Sequence, residues 1–91
     1  MRFEWDEKKK SSNFVKHGVS FEEASTVFGD FSSITVEDPR HSESRFVMIG
    51  LSAHCNLLVV VHTERRNRIR IISARFANKR EVKDYEKGIY G

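Results

Sequence analysis

Ninety-one residues, 38% of them hydrophobic and 32% charged, suffice for one packed core and are too few for two cooperative units, so a single domain over residues 1–91 is expected. The opening MRFEWDEKKK carries charge where a secretory leader needs an apolar run, and no stretch nears the roughly 18 apolar residues of a membrane span. The one cysteine, Cys55, cannot form an internal disulfide, and a cytoplasmic protein is expected. The net charge of +3 hides an asymmetry: residues 1–45 hold nine Asp or Glu against seven Lys or Arg, and residues 46–91 hold four against nine. The second half is therefore the part that draws a polyanion, nucleic acid first, or an acidic protein.

In chain order, RFEW alternates like a short strand, and Asp6 is placed to cap a helix that runs to about His17 and stops at Gly18. VSFEEASTVFG carries Ser20 as N-cap, Glu23 three residues on to close a capping box, and Val19 against Ala24 as a hydrophobic staple. Phe21, Ala24, Val27 and Phe28 give this second helix one apolar face, with Gly29 as its stop. From Phe31 the period shortens toward two, through Ile34 and Val36, until EDPRHSE, where Pro39 demands a loop. RFVMIGLS, NLLVVVHTER and RIRIISARF then read as an antiparallel meander. ANKREVKDYEKGIYG closes with a second capping box, Asn78 with Glu81, and a helical stripe of Val82, Tyr85 and Ile89. The expectation is an α+β fold, an antiparallel sheet of about four strands with helices on one face, in the order β-α-α-β-β-β-β-α.

RRNRIRIISAR, residues 65–75, places five arginines and no acid in a segment that otherwise reads as a half-buried strand. Arg68 and Arg70 alternate with Ile69 and Ile71 as a wet face alternates with a core face. Strict alternation then puts Arg75 on the core face, where a guanidinium needs a partner. Metal chemistry finds poor material: His17, His41, His54 and His62 form neither an i, i+4 pair nor a His-Glu-x-x-His cluster. Glycine-rich phosphate loops and nucleophile elbows are absent as well.

Metal-free RNA cleavage asks for less. Attack of a 2'-hydroxyl on its own phosphate needs alignment, a proton taken, a proton given, and cations on the crowded phosphate. Arginine forks suit the cationic task and histidine suits the proton transfers. Arg45, Arg65 and Arg75, with His17, His41 or His62, supply each part. The plainer readings stand beside this one: Arg68 and Arg70 as solvated strand residues, Tyr85 as part of a helix core, and His41, Glu43 and Arg45 as a turn-stabilising ion pair.

KHGVSFEEA at 16–24, HSESR at 41–45 and RIRIISAR at 68–75, joined by FEWDEKK at the start and TER at 63–65, together resemble the BrnT family of type II toxins over nearly the whole chain. The resemblance implies a RelE-like fold, a ribonuclease that arrests translation without cofactors, and a BrnA-like antitoxin held in a hetero-oligomer. It also implies roles. Arg65 and Arg75 stabilise the phosphorane, Lys16 or His17 assists from the end of the first helix, and His41 with Glu43 forms an acid/base pair. Arg45, Arg66, Arg68 and Arg70 bind the RNA. Arg66 and Asn67 stand where the family often has glycine after TER, so Asn67 is expected to take the left-handed conformation, and Phe76 stands where a basic residue is common. Two other classes remain open on these residues: a non-catalytic RNA- or ribosome-binding translation inhibitor using the same basic sheet, and a protein-interaction module.

Overall fold

Each helix starts where a short polar side chain can replace a missing backbone partner. In the computed structural model, which describes residues 1–40 and 42–88, a strand β1 (Arg2–Glu4) leads to α1 (Glu7–His17). The Asp6 carboxylate accepts hydrogen bonds from the Lys8 and Lys9 amides, and Gly18 closes the helix at φ 72° with its N–H donating to the Phe14 carbonyl. Ser20 caps α2 (Phe21–Thr26) by accepting from the Glu23 amide. The expected capping box is only half made there. The Glu23 carboxylate instead accepts from Ser52 Oγ at 2.7 Å and Asn56 Nδ2 at 2.8 Å, pinning the loop between two later strands. α2 ends at Thr26, short of the expected stop, and one 3-10 turn, Val27–Gly29, carries the chain through Gly29.

β2 (Ile34–Asp38), β3 (Arg45–Leu51), β4 (Leu57–Arg65) and β5 (Arg68–Phe76) form the expected meander, and α3 (Lys79–Lys87) follows. The sheet has five strands rather than four, in the order β1-β5-β4-β3-β2. Its extra member is β1, which runs parallel to β5 with Arg2 opposite Arg68 and Glu4 opposite Arg70. The sheet is thus mixed, a correction to the all-antiparallel expectation: the long return through α1, α2 and the meander brings the first strand back alongside the last.

One face carries Met48, Leu58, Val60, Ile71 and Ala74 against Val19, Phe21, Ala24 and Val27 in and beside α2, and this is the core. The other face carries Ile34, Val36, Val47 and Ile49, which line a groove with Asn78, Arg80, Glu81 and Asp84 at α3. Helices therefore cover both faces, against the expectation of one. α3 covers its face lightly: its capping box is complete, its end is Gly88 at φ 64°, and none of its residues is buried. Val82 and Tyr85 are half-buried; Ile89, the third residue of the expected stripe, lies outside the described residues.

β5 holds the irregularity that decides the arginine pattern. Val61 pairs with Ser73 and His62 pairs with Ile71, so Ile72 is the extra residue of a bulge. Beyond it the alternation flips, and Ile69, Ile71 and Ala74 line one buried row. Arg75 is thereby moved to the opposite face from Ile69 and Ile71, which corrects the strict-alternation reading. Ala74 lies in the part of β5 that β1 is too short to cover. There Asn13 of α1 acts as a substitute strand, accepting from the Ala74 amide at 3.1 Å and donating to its carbonyl at 2.8 Å.

Candidate nucleic-acid interface

β4 and β5 are joined by Arg66 and Asn67 alone, with Arg65 opposite Arg68. So tight a reversal needs a positive φ. Arg66 supplies it, at 54°. The expected residue, Asn67, does not take it; its carbonyl instead accepts from the Arg2 amide at 3.3 Å, joining the turn to β1. A side chain with a Cβ in the left-handed region costs about 1 kcal/mol, so the turn holds a mild strain at its most charged point.

On the sheet face away from α1 and α2, the registers gather side chains from three strands. Arg65 lies beside Arg68 and Arg2, and Thr63 beside Arg70 and Glu4. Glu43, from the loop before β3, accepts from Arg65 Nη2 at 2.8 Å, and Glu4 stands 3.9 Å from Arg68. The result is an open groove of about 1100 Å³ walled by Arg2, Arg65, Arg66, Arg68 and Arg70 with Glu4 and Glu43. Five guanidinium groups less two carboxylates leave three uncompensated positive charges in one concavity. Such a concavity concentrates anions, and arginine forks match phosphate oxygens two at a time. The Arg65 hydrogen bond, helped by the charges of Arg65, Arg45 and Arg70, holds the Glu43 carboxyl below the usual carboxylate range. Glu43 is therefore ionised at neutral pH, able to accept a proton and unable to donate one.

The other expected site residues scatter. Arg45 starts β3 on the same face, opposite Asp38. Arg75 shares the face as well but lies seven residues along β5 from Arg68, roughly 20 Å away at strand spacing. It is already occupied, with its two terminal nitrogens donating to the two Glu81 carboxylate oxygens at 2.8 Å each. The pairing of Arg65 with Arg75 around one phosphate is thus not brought together. Lys16 and His17, in the last turn of α1, line a separate groove with Ile72 and Ser73 at the β5 edge. His41 lies outside the described residues. His62 is fully buried between Phe28 and Phe46, on the core face, with Nε2 3.1 Å from Glu64. Burial holds its pKa below the usual value against the opposing pull of Glu64, so His62, a candidate for proton transfer in the sequence, belongs to the core.

Three participants were not foreseen: Arg2, Glu4 and Thr63. The first two reach the groove only because β1 pairs with β5, and the short RFEW carried no mark of its partner. Among the described residues, no group of three or more His, Cys, Asp or Glu side chains is arranged to hold a metal ion, and no helix is long and apolar enough to cross a membrane.

Residues 5–81 match the family model described as the ribonuclease toxin, BrnT, of type II toxin-antitoxin systems. Among solved structures, the crystal structure of the Brucella abortus ribonuclease toxin BrnT superimposes with a TM-score of 0.65 at 23% identity, covering 87% of this chain and 99% of that one. At that identity the likeness speaks for the fold. No curated protein matches the chain.

Proposed function

Because the chain belongs to the BrnT family of ribonuclease toxins of type II toxin-antitoxin systems, we propose that it is a metal-independent endoribonuclease that cuts RNA in the arginine groove and so arrests translation in the cytoplasm. The observation that carries this reading is the combination, in one open concavity, of three excess positive charges with one ionised carboxylate, Glu43. The arginines neutralise the phosphate and the charge that builds on it during in-line attack. Glu43 accepts the proton of the attacking 2'-hydroxyl. The new 2'-oxygen to phosphorus bond displaces the 5'-oxygen, which leaves with a proton, and the products are a 2',3'-cyclic phosphate and a 5'-hydroxyl. Arginine is too weak an acid to supply that leaving proton. His41, two residues before Glu43 in the sequence, is the group assigned to it. Arg75, bound to Glu81, is given no place in the reaction. The partner is an antitoxin of the BrnA kind whose acidic groups cover the basic face in a hetero-oligomer.

The test is purified protein with a single-stranded RNA in excess EDTA, with the ends of the products identified. Cyclic-phosphate and 5'-hydroxyl ends support the reading. RNA that is bound but left whole would replace it with a non-catalytic RNA-binding inhibitor, and ends of the opposite polarity would remove the in-line mechanism.

A further inference from the structure

Two polar atoms at the arginine face lack partners among the described residues. Thr63 is only 2% exposed. Its Oγ1, like the Nε of Arg45, is buried with no hydrogen-bond partner among the described residues. Buried polar groups in folded proteins are nearly always satisfied, and an exception asks for a reason. The ladder sets these two side by side. β3 and β4 pair Phe46 with His62, so one step further brings Arg45 level with Thr63, and Thr63 in turn stands opposite Arg70. Arg45, Thr63 and Arg70 form a single row across three neighbouring strands, next to the row of Arg65, Arg68 and Arg2. At the usual spacing between strands the row is about 10 Å wide, a gap that two arginine side chains can close around one small anion. Asp38 and Glu4 end the row, so its two positive charges lie at the centre and its two negative ones at the ends.

We propose that this row is a phosphate seat, in which one oxyanion accepts from Thr63 Oγ1 and Arg45 Nε while the Arg70 fork holds a second oxygen. The donor set fits a tetrahedral oxyanion: a hydroxyl at the floor, two guanidinium groups at the sides, and no negative charge among the three. The arginine side chains lift on their flexible stems to admit the ligand, and the two unpaired atoms gain partners when it enters. The seat deepens the ribonuclease reading and rests on it for its natural ligand, the phosphodiester of RNA. Its existence can be tested without any cleavage.

The probe is inorganic phosphate, titrated at constant ionic strength into nitrogen-15-labelled protein while the arginine Nε–H resonances are followed. The Arg45 resonance should shift and saturate. Thr63→Val keeps the side-chain shape and removes only the hydroxyl. It should weaken phosphate binding about tenfold, the equivalent of one charge-assisted hydrogen bond, while raising the Tm of the free protein by a few degrees because an unsatisfied buried hydroxyl is gone. Arg68→Ala, in the next row, should change the affinity about twofold. An unmoved Arg45 resonance, an unchanged affinity in Thr63→Val, or a lowered Tm in that variant would each overturn the seat, the last by showing that the hydroxyl already has a partner. Wild-type protein that binds phosphate here but leaves RNA whole would sink the ribonuclease reading and spare the seat.

Discussion

Replacing Arg75 with alanine should loosen one helix rather than silence a catalytic site. Arg75 makes two charge-assisted hydrogen bonds of 2.8 Å to Glu81, and Glu81 also accepts from the Asn78 amide at the start of α3. A well-made bond of this kind contributes about 1.5–3 kcal/mol. Here the Arg75 side chain is 42% exposed and that of Glu81 19%, so solvent screening brings the pair to the low end, about 1–2 kcal/mol. α3 has nine residues and none is buried, whereas isolated helices shorter than about 12 residues are marginal in water. Loss of the tether should thus appear first as faster hydrogen exchange in α3, with Tm lowered by roughly 5–10 °C.

The double-mutant cycle Arg75→Ala with Glu81→Ala should return a coupling of about 1–2 kcal/mol. The pH dependence carries the same signature. The Arg75 hydrogen bond holds the Glu81 carboxyl below its usual range. The stability it contributes is therefore present above the unfolded value of about 4.3 and lost as pH falls through the folded one. Arg75→Ala should flatten that acid limb. A stable Arg75→Ala variant with near-zero coupling and an unchanged acid limb would refute the tether and return Arg75 to the pool of phosphate ligands.

Three further outcomes are expected. Arg66→Gly should raise stability by about 1 kcal/mol by relieving the positive φ, while lowering the slope of log RNA affinity against log salt by about 0.7 if Arg66 meets a phosphate; denaturant melts and a salt series separate the two effects. Gly50→Ala would place its Cβ 2.6 Å from Val27 Cγ1 and 3.0 Å from Ser33 Cβ, an overpacking expected to cost about 1–3 kcal/mol in a thermal melt. Charge reversal at Arg68 and Arg70 should speed dissociation of the antitoxin complex more than the same change at Lys8 and Lys9; the opposite order would place the antitoxin on the α1 side.

What could be read in advance was local, and what could not was set by distant partners. Asp6, Ser20 and Asn78 announce their helices because a cap bonds to amides two or three residues away. Glu23 shows the limit: the spacing predicted a bond to its own N-cap, and the carboxylate went to Ser52 and Asn56, about 30 residues on. β1 was legible as a strand but not as the parallel neighbour of β5. The turn was legible as a turn, yet Arg66 rather than Asn67 took the positive φ, and the Asn67 carbonyl joined β1. Arg65, Arg66, Arg68 and Arg70 of the arginine run line the groove, and strict alternation puts Arg75 on the wrong face because a bulge leaves no trace in an alternation pattern.

That bulge is also what divides the face. Without Ile72 as an extra residue, Arg75 would fall on the core face with Ile69 and Ile71, where an unpaired guanidinium is prohibitively costly. With it, Arg75 emerges beside Val59, close enough to Glu81 to bind α3 at the apolar half of the sheet, next to Ile34, Val36, Val47 and Ile49. Tyr85 holds the same helix from its other end, donating to Asp30 at 2.6 Å, a bond that pushes the phenol pKa up to about 12 and keeps the proton in place. The helix is thus stationed over the side chains that need shelter from water and stops short of those that do not. Arg65, Arg68 and Arg70 remain uncovered at the far end of the same strands. Apolar packing and open charge share one sheet surface because a single inserted residue sends the last arginine of the run to the helix and leaves the others facing solvent.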